Sequence, residues 1–252
     1  QNNGLWMWFD TGNTYGSSGH AHCSKNAINL RVNGTMLLVD SGRFQYNGQG
    51  LSEKLNREYE RTTTAHNSLT FDGKEQASEP HVATTPAPNS TWNFTTKSDF
   101  ASGSSSLYTG LSGSLTHQRG VLYVKQSTTG LQDYIVVVDV VTTSQARTVQ
   151  ASWHAHPNSN VSFHGGTRMA TITGVDTATG APASSMLTLI PSVPVAASVN
   201  KGDRRDFTWK NASIVRGQVG NATAGLPWQG FYSSDYNGNS TAPTLVFDGS
   251  VP

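Results

Sequence analysis

The sequence is poor in charge and nearly devoid of cysteine. Lys, Arg, Asp and Glu together make up only 13% of its 252 residues, and the formal net charge is +1. A typical soluble domain carries about 25% charged residues. So weak a balance provides no broad basic surface for nucleic acid. One cysteine, Cys23, rules out an internal disulfide framework. No apolar run reaches the roughly 20 residues of a membrane-spanning helix. The composition also excludes a coiled coil, and no repeat of fixed period is visible. No leader-like segment is read at the start, where Gln1 stands in place of an initiator. The strand-like run Leu5-Trp6-Met7-Trp8-Phe9 follows almost at once, as expected of a chain trimmed or cut from something larger.

Ser, Thr, Asn and 25 Gly take the place of the missing charge. This composition suits many short strands joined by tight turns. Seven Asn-x-Ser/Thr sequons, at Asn33, Asn89, Asn93, Asn160, Asn211, Asn221 and Asn239, predict a secreted or periplasmic protein and, where glycans are added, a glycoprotein.

The clearest local signal is Ala27–Val32, then Asn33-Gly34, then Thr35–Val39. Asn-Gly supplies the two positive φ angles of a type I′ turn, so the segment predicts a β-hairpin. Ser68–Phe71 before Asp72-Gly73 has the same character. Further strands are predicted at Gly120–Lys125, Tyr134–Val141, Thr148–His154, Met169–Thr173, Met186–Ile190, Phe207–Trp209 and Leu245–Phe247. Tyr134–Val138 is apolar on both faces and predicts a central strand between packed layers. Leu51, Leu55 and Tyr59 have helical spacing, whereas residues 77–106 predict a long loop. The whole reads as a single domain over residues 1–252, an all-β, antiparallel two-layer β-sandwich.

Among eight histidines, His20 and His22 stand two apart in an extended segment and share a side. The Asn33-Gly34 turn brings the start of one hairpin strand, near His22, against the end of the other, at Asp40. His66 precedes another strand. Two imidazoles and a carboxylate make a zinc set. Hydrogen-bonded histidines at strand ends are the alternative, and spacing alone leaves both open. His154, beside Trp153, reads as a satisfied strand-end histidine.

Gly19-His20-Ala21-His22, Leu38-Val39-Asp40-Ser41-Gly42-Arg43, Tyr46, Tyr59, Thr64-Ala65-His66-Asn67 and Asp72-Gly73-Lys74-Glu75-Gln76 together resemble the β-sandwich domain of the heparinase II/III-like polysaccharide lyases. That group includes alginate and oligoalginate lyases and heparin and heparan lyases. His117-Gln118-Arg119-Gly120, Val138-Asp139 and Trp153-His154 extend the likeness. The resemblance implies a structural Zn²⁺ held by His22, Asp40 and His66. It also implies catalysis by His20 with Tyr46, and substrate contacts from Arg43, with Tyr59 and Arg61 as weaker candidates. For Arg57 and Arg61 the residues themselves read as the solvated face of a short helix. The family commonly has an Asp two residues after the second His. Here that position is Ser24, which would buttress the loop only through a neutral hydrogen bond.

The resemblance further implies β-elimination in an anionic uronate polysaccharide and a helical (α/α) toroid domain that these 252 residues do not contain. A separate or removed toroid is therefore the expected partner. The near-neutral charge points to a non-sulfated uronan such as alginate. A noncatalytic carbohydrate-binding or structural sandwich is the competing reading, which retention of His20 beside the ligand trio opposes. A zinc hydrolase lacks an evident general base.

Overall fold

The computed structural model describes residues 4–11, 22–42, 59–76, 91–106, 108, 110–125, 133–164, 169–175, 179, 182–192, 196–200, 207–209, 212–214, 231–232, 240–241 and 244–252. These residues are nearly all β. The strands are β1 (Trp6–Phe9), β2 (Ile28–Val32), β3 (Thr35–Leu38), β4 (Leu69–Phe71), β5 (Thr91–Phe94), β6 (Ser98–Ser105), β7 (Leu115–Val124), β8 (Tyr134–Thr143) and β9 (Arg147–His154). They continue as β10 (Asn160–Phe163), β11 (Ala170–Val175), β12 (Pro182–Leu189), β13 (Ala196–Asn200), β14 (Phe207–Trp209), β15 (Ala212–Ile214), β16 (Phe231–Tyr232), β17 (Ser240–Thr241) and β18 (Thr244–Val251). The larger sheets run β5-β6-β7-β8 and β13-β18-β9-β4, with three-stranded sheets β1-β2-β3 and β10-β11-β12. Every strand pairing among the described residues is antiparallel. The fold is the expected antiparallel β-sandwich.

The first hairpin forms for the reason the sequence gives. Asn33 and Gly34 have φ of 48° and 82°, and Val32 pairs with Thr35 across them. One irregularity between Leu30 and Arg31 shifts the register. Leu30, Leu37 and Leu38 then pack with Ala170 and Ile172 of β11 and Leu245 and Phe247 of β18 in the main core. Leu69 and Phe71 of β4 meet Leu115 of β7 in a second cluster.

Two expectations are corrected. Within the predicted loop 77–106, residues 91–94 and 98–105 are strands β5 and β6; residues 77–90 lie outside the described residues. And β8 is an edge strand, not a central one. Its Val136, Val138 and Val140 are 40%, 52% and 52% exposed, because no layer covers that face among the described residues. Of the predicted helix at 51–59, Tyr59 is helical together with Glu60, and residues 51–58 lie outside the described residues.

β7 shows how polar groups enter the interior. It alternates strictly over its first seven residues, with Leu115, His117, Arg119 and Val121 all buried, so a period of two turns one histidine and one arginine inward. Asp139 sits opposite Arg119 in the β7–β8 register and receives both.

Candidate metal centre

Three separate segments converge beside β9. His22 lies ahead of β2, Asp40 follows β3, and His66 follows the 3₁₀ turn Thr63–Ala65. Asp40 Oδ2 is 2.7 Å from His66 Nδ1, and the rings of His22 and His66 stand 5.4 Å apart at 43°. The other Asp40 oxygen accepts the Gly42 N–H at 2.9 Å. The trio named from sequence is therefore gathered in space, and hairpin closure delivers Asp40 as expected. Among the described residues, no three His, Cys, Asp or Glu side chains are already arranged to hold a metal ion; Asp40 and His66 are bonded to each other instead.

The electrostatics follow from that contact. Burial raises the Asp40 carboxyl, but His66, His22 and the Gly42 N–H outweigh it and hold the group well below the usual range. Burial lowers His66, and Asp40 more than reverses this, with Asp10 and Glu75 adding to the rise. Glu60 is buried, and burial followed by the Asp40 charge pushes it up to about 9. His154, also buried, is pushed down to about 3 by burial and then by His66. It is a neutral imidazole.

Asn67 and Arg119 frame the centre. The Asn67 amide donates to the carbonyls of Ile28 at 2.6 Å and Val39 at 3.0 Å. Its Oδ1 accepts the His154 backbone N–H at 2.6 Å. One side chain thus ties β2, the end of β3 and β9 together next to His66. Arg119 Nη1 donates to the carbonyls of Asn26 and Asn67, both at 2.8 Å. Its Nε and Nη2 bond Asp139 at 2.7 and 3.0 Å, and its guanidinium lies 5.2 Å from the centre of the Trp153 ring. The loops carrying His22 and His66 are therefore pinned to the same buried cation. Ala-His-Asn and His-Gln-Arg-Gly were visible as motifs, but their bonds cross 20 to 93 residues of chain, and no local pattern encodes such partners.

Ser24 departs from expectation. Its hydroxyl donates to Asp10 Oδ2 at 2.9 Å, so the bond is charge-assisted rather than neutral. The carboxylate comes from the end of β1 instead of from position 24. Tyr59 and Arg61 are 1% and 3% exposed, which corrects the solvated-face reading for Arg61. The Arg61 carbonyl accepts the Cys23 N–H at 2.9 Å, tying its segment to the one that bears His22. His20, Arg43, Tyr46 and Arg57 lie outside the described residues.

The donor chemistry suits a metal. Both Glu60 carboxyl oxygens and His66 Nε2 are buried without a hydrogen-bond partner, where nearly all buried polar atoms have one. Imidazole and carboxylate donors are those zinc takes, and a carboxylate oxygen that accepts one hydrogen bond retains a further lone pair.

Comparison with known proteins agrees with this architecture. Residues 1–223 match the family model described as Heparinase II/III-like, C-terminal. No curated protein sequence matches significantly. Among solved structures, heparan sulfate lyase HepC from Pedobacter heparinus aligns with a TM-score of 0.65 at 18% identity, over 99% of this chain and 32% of that one. A heparinase III gene product aligns at 0.60 and 14%, over 98% and 32%. A further heparinase III aligns at 0.58 and 14%, over 98% and 31%. The chain thus spans about a third of the structures it resembles.

Proposed function

Because the chain belongs to the heparinase II/III-like family through its C-terminal domain, we propose that it is the β-sandwich part of a polysaccharide lyase that cleaves a uronic-acid polysaccharide by β-elimination. A base removes the C5 proton beside the carboxylate, the C4–O bond breaks, and an acid protonates the departing oxygen. His20, with Tyr46, is the candidate for these proton transfers, and Arg43 for neutralising the carboxylate as charge develops on it. An α/α-toroid, as a domain or separate chain of the same enzyme, completes the site. His22, Asp40 and His66 would hold a zinc ion, which supplies a fixed cross-link between their loops. The observation that carries this reading is the convergence of Asp40 and His66 at 2.7 Å with the His22 ring alongside, directly downstream of His20.

The net charge of +1 supports a non-sulfated uronan of the alginate kind. The heparan sulfate lyases share the fold at identities too low to carry a substrate across. The sequons support a secreted or periplasmic protein, glycosylated where the host permits.

The test joins this chain to its toroid partner and follows the ultraviolet absorbance of unsaturated products on alginate and on heparan sulfate in parallel. His20→Ala abolishes product and leaves zinc content intact. Loss of zinc with His20→Ala would sink the assignment, and binding without turnover on every uronan would favour a noncatalytic module. Turnover of heparan sulfate alone would overturn the alginate preference only.

A further inference from the structure

We propose that Trp6, Trp8 and Arg31 form a platform for an anionic polysaccharide, holding a stretch of polymer outside the position of cleavage. The identity of that polymer as a uronan rests on the lyase reading above. Side chains alternate along β1. Leu5 and Met7 pack against the main core, which turns Trp6 and Trp8 to the outer face of the β1-β2-β3 sheet. There they are 54% and 39% exposed. Two residues of strand separate them by roughly 7 Å, so the indoles form one contiguous patch, and such patches mark contact surfaces where scattered exposure does not. Arg31 pairs with Trp6 on one side and with Met36 on the other, so the three make one row across the sheet. Gly4, Trp6, Arg31, Gly34 and Met36 line an open hollow of about 350 Å³. Arg31 is exposed, and its guanidinium has no ion-pair or hydrogen-bond partner among the described residues.

This mixture selects the occupant. An apolar protein face laid over the indoles would trap Arg31 beneath it, at the cost of a buried unpaired charge. A uronate chain meets both halves: the planar guanidinium takes a carboxylate bidentately, and rigid aromatic rings supply contact area for the C–H faces of the sugar at little entropic cost. The position also fits. Trp8 pairs with Asn29, whose side-chain oxygen accepts from the Asn67 amide at 3.3 Å, one residue after His66. Asp10, just past β1, accepts the Ser24 hydroxyl at 2.9 Å, two residues after His22. From Trp6 to Asp10 the strand advances about 13 Å. A polymer lying along the indoles thus runs toward the candidate metal centre.

Titration calorimetry of the full chain with alginate oligosaccharides, and with a neutral glucan beside them, tests this. Replacing both indoles, Trp6→Ala with Trp8→Ala, should weaken alginate binding about tenfold or more, as truncation of aromatic anchors does. Arg31→Gln should weaken it too and flatten its decline with added salt, because the lost contact is the one salt screens. Unchanged affinity in either folded variant overturns the proposal. So does a neutral glucan bound as tightly as alginate, or a wild type that binds neither polymer. Should the tryptophan variant not fold, Arg31→Gln decides alone. The lyase reading fails separately: variants that lose binding, in an enzyme that never turns over uronan when joined to its toroid, sustain the platform and end the lyase. Turnover with binding untouched by the substitutions does the reverse.

Discussion

Arg119 is the most demanding residue in the molecule. It is fully buried, and its charge is met by Asp139 and by two main-chain carbonyls. Burial alone would raise the Asp139 carboxyl, yet Arg119 and His117 hold it far below the ordinary range. His117 is itself pushed down by burial against the opposing pull of Asp139. Removing one partner of such a pair strands the other in low dielectric, which costs about 3–5 kcal/mol. Asp139→Asn should therefore lower the unfolding free energy by about that amount, measured in denaturant at neutral pH. The pH dependence has a definite sign. A carboxylate whose folded value is depressed contributes stability above its unfolded value near 3.9 and loses it as pH falls below that. Wild type should thus weaken progressively below about pH 4, and Asp139→Asn should flatten that slope.

At the scale of elements, the hairpin was readable because its information is local: Asn33-Gly34 supplies the positive φ angles and the flanking apolar residues supply the strands. β5 and β6 were not readable, because Ser, Thr, Asn and Pro dominate the segment that holds them, and what stiffens it is pairing of Thr91–Phe94 with β6 and of β6 with β7. The valines of β8 read correctly as strand but misled about layer, since an apolar face does not say whether anything covers it. At the site, His22, Asp40 and His66 were legible through the hairpin and the Ala-His-Asn motif. The unpartnered carboxyl oxygens of Glu60 were not, because an unpartnered atom is a property of packed surroundings. Close packing between sheets is equally hidden. A Cβ on Gly174 of β11 would fall 2.4 Å from Thr35 Cγ2 and 3.3 Å from Leu37 Cδ2, both on β3. Gly174→Ala should cost about 1–3 kcal/mol through overpacking, with a lower thermal midpoint as the readout. An unchanged midpoint would mean that β3 and β11 can separate freely.

For the whole molecule, the proposed metal joins segments that also belong to the main core, so its removal should be felt globally. Free zinc at about a hundred times its dissociation constant adds about 2.7 kcal/mol. Each kcal/mol moves the midpoint by about 2–4 °C in a chain of this size. A chelator should accordingly lower the midpoint of the zinc-loaded chain by about 5–10 °C without unfolding it at room temperature. The second half of that expectation comes from Arg119, which holds the His22 and His66 loops by protein bonds alone. Its two loop contacts are to carbonyl oxygens at Asn26 and Asn67, atoms that every amino acid possesses. The grip on the two loops therefore does not pass through the ligand side chains, and a protein engineer could exchange those ligands, recasting the centre for another ion, while the scaffold beneath kept its shape.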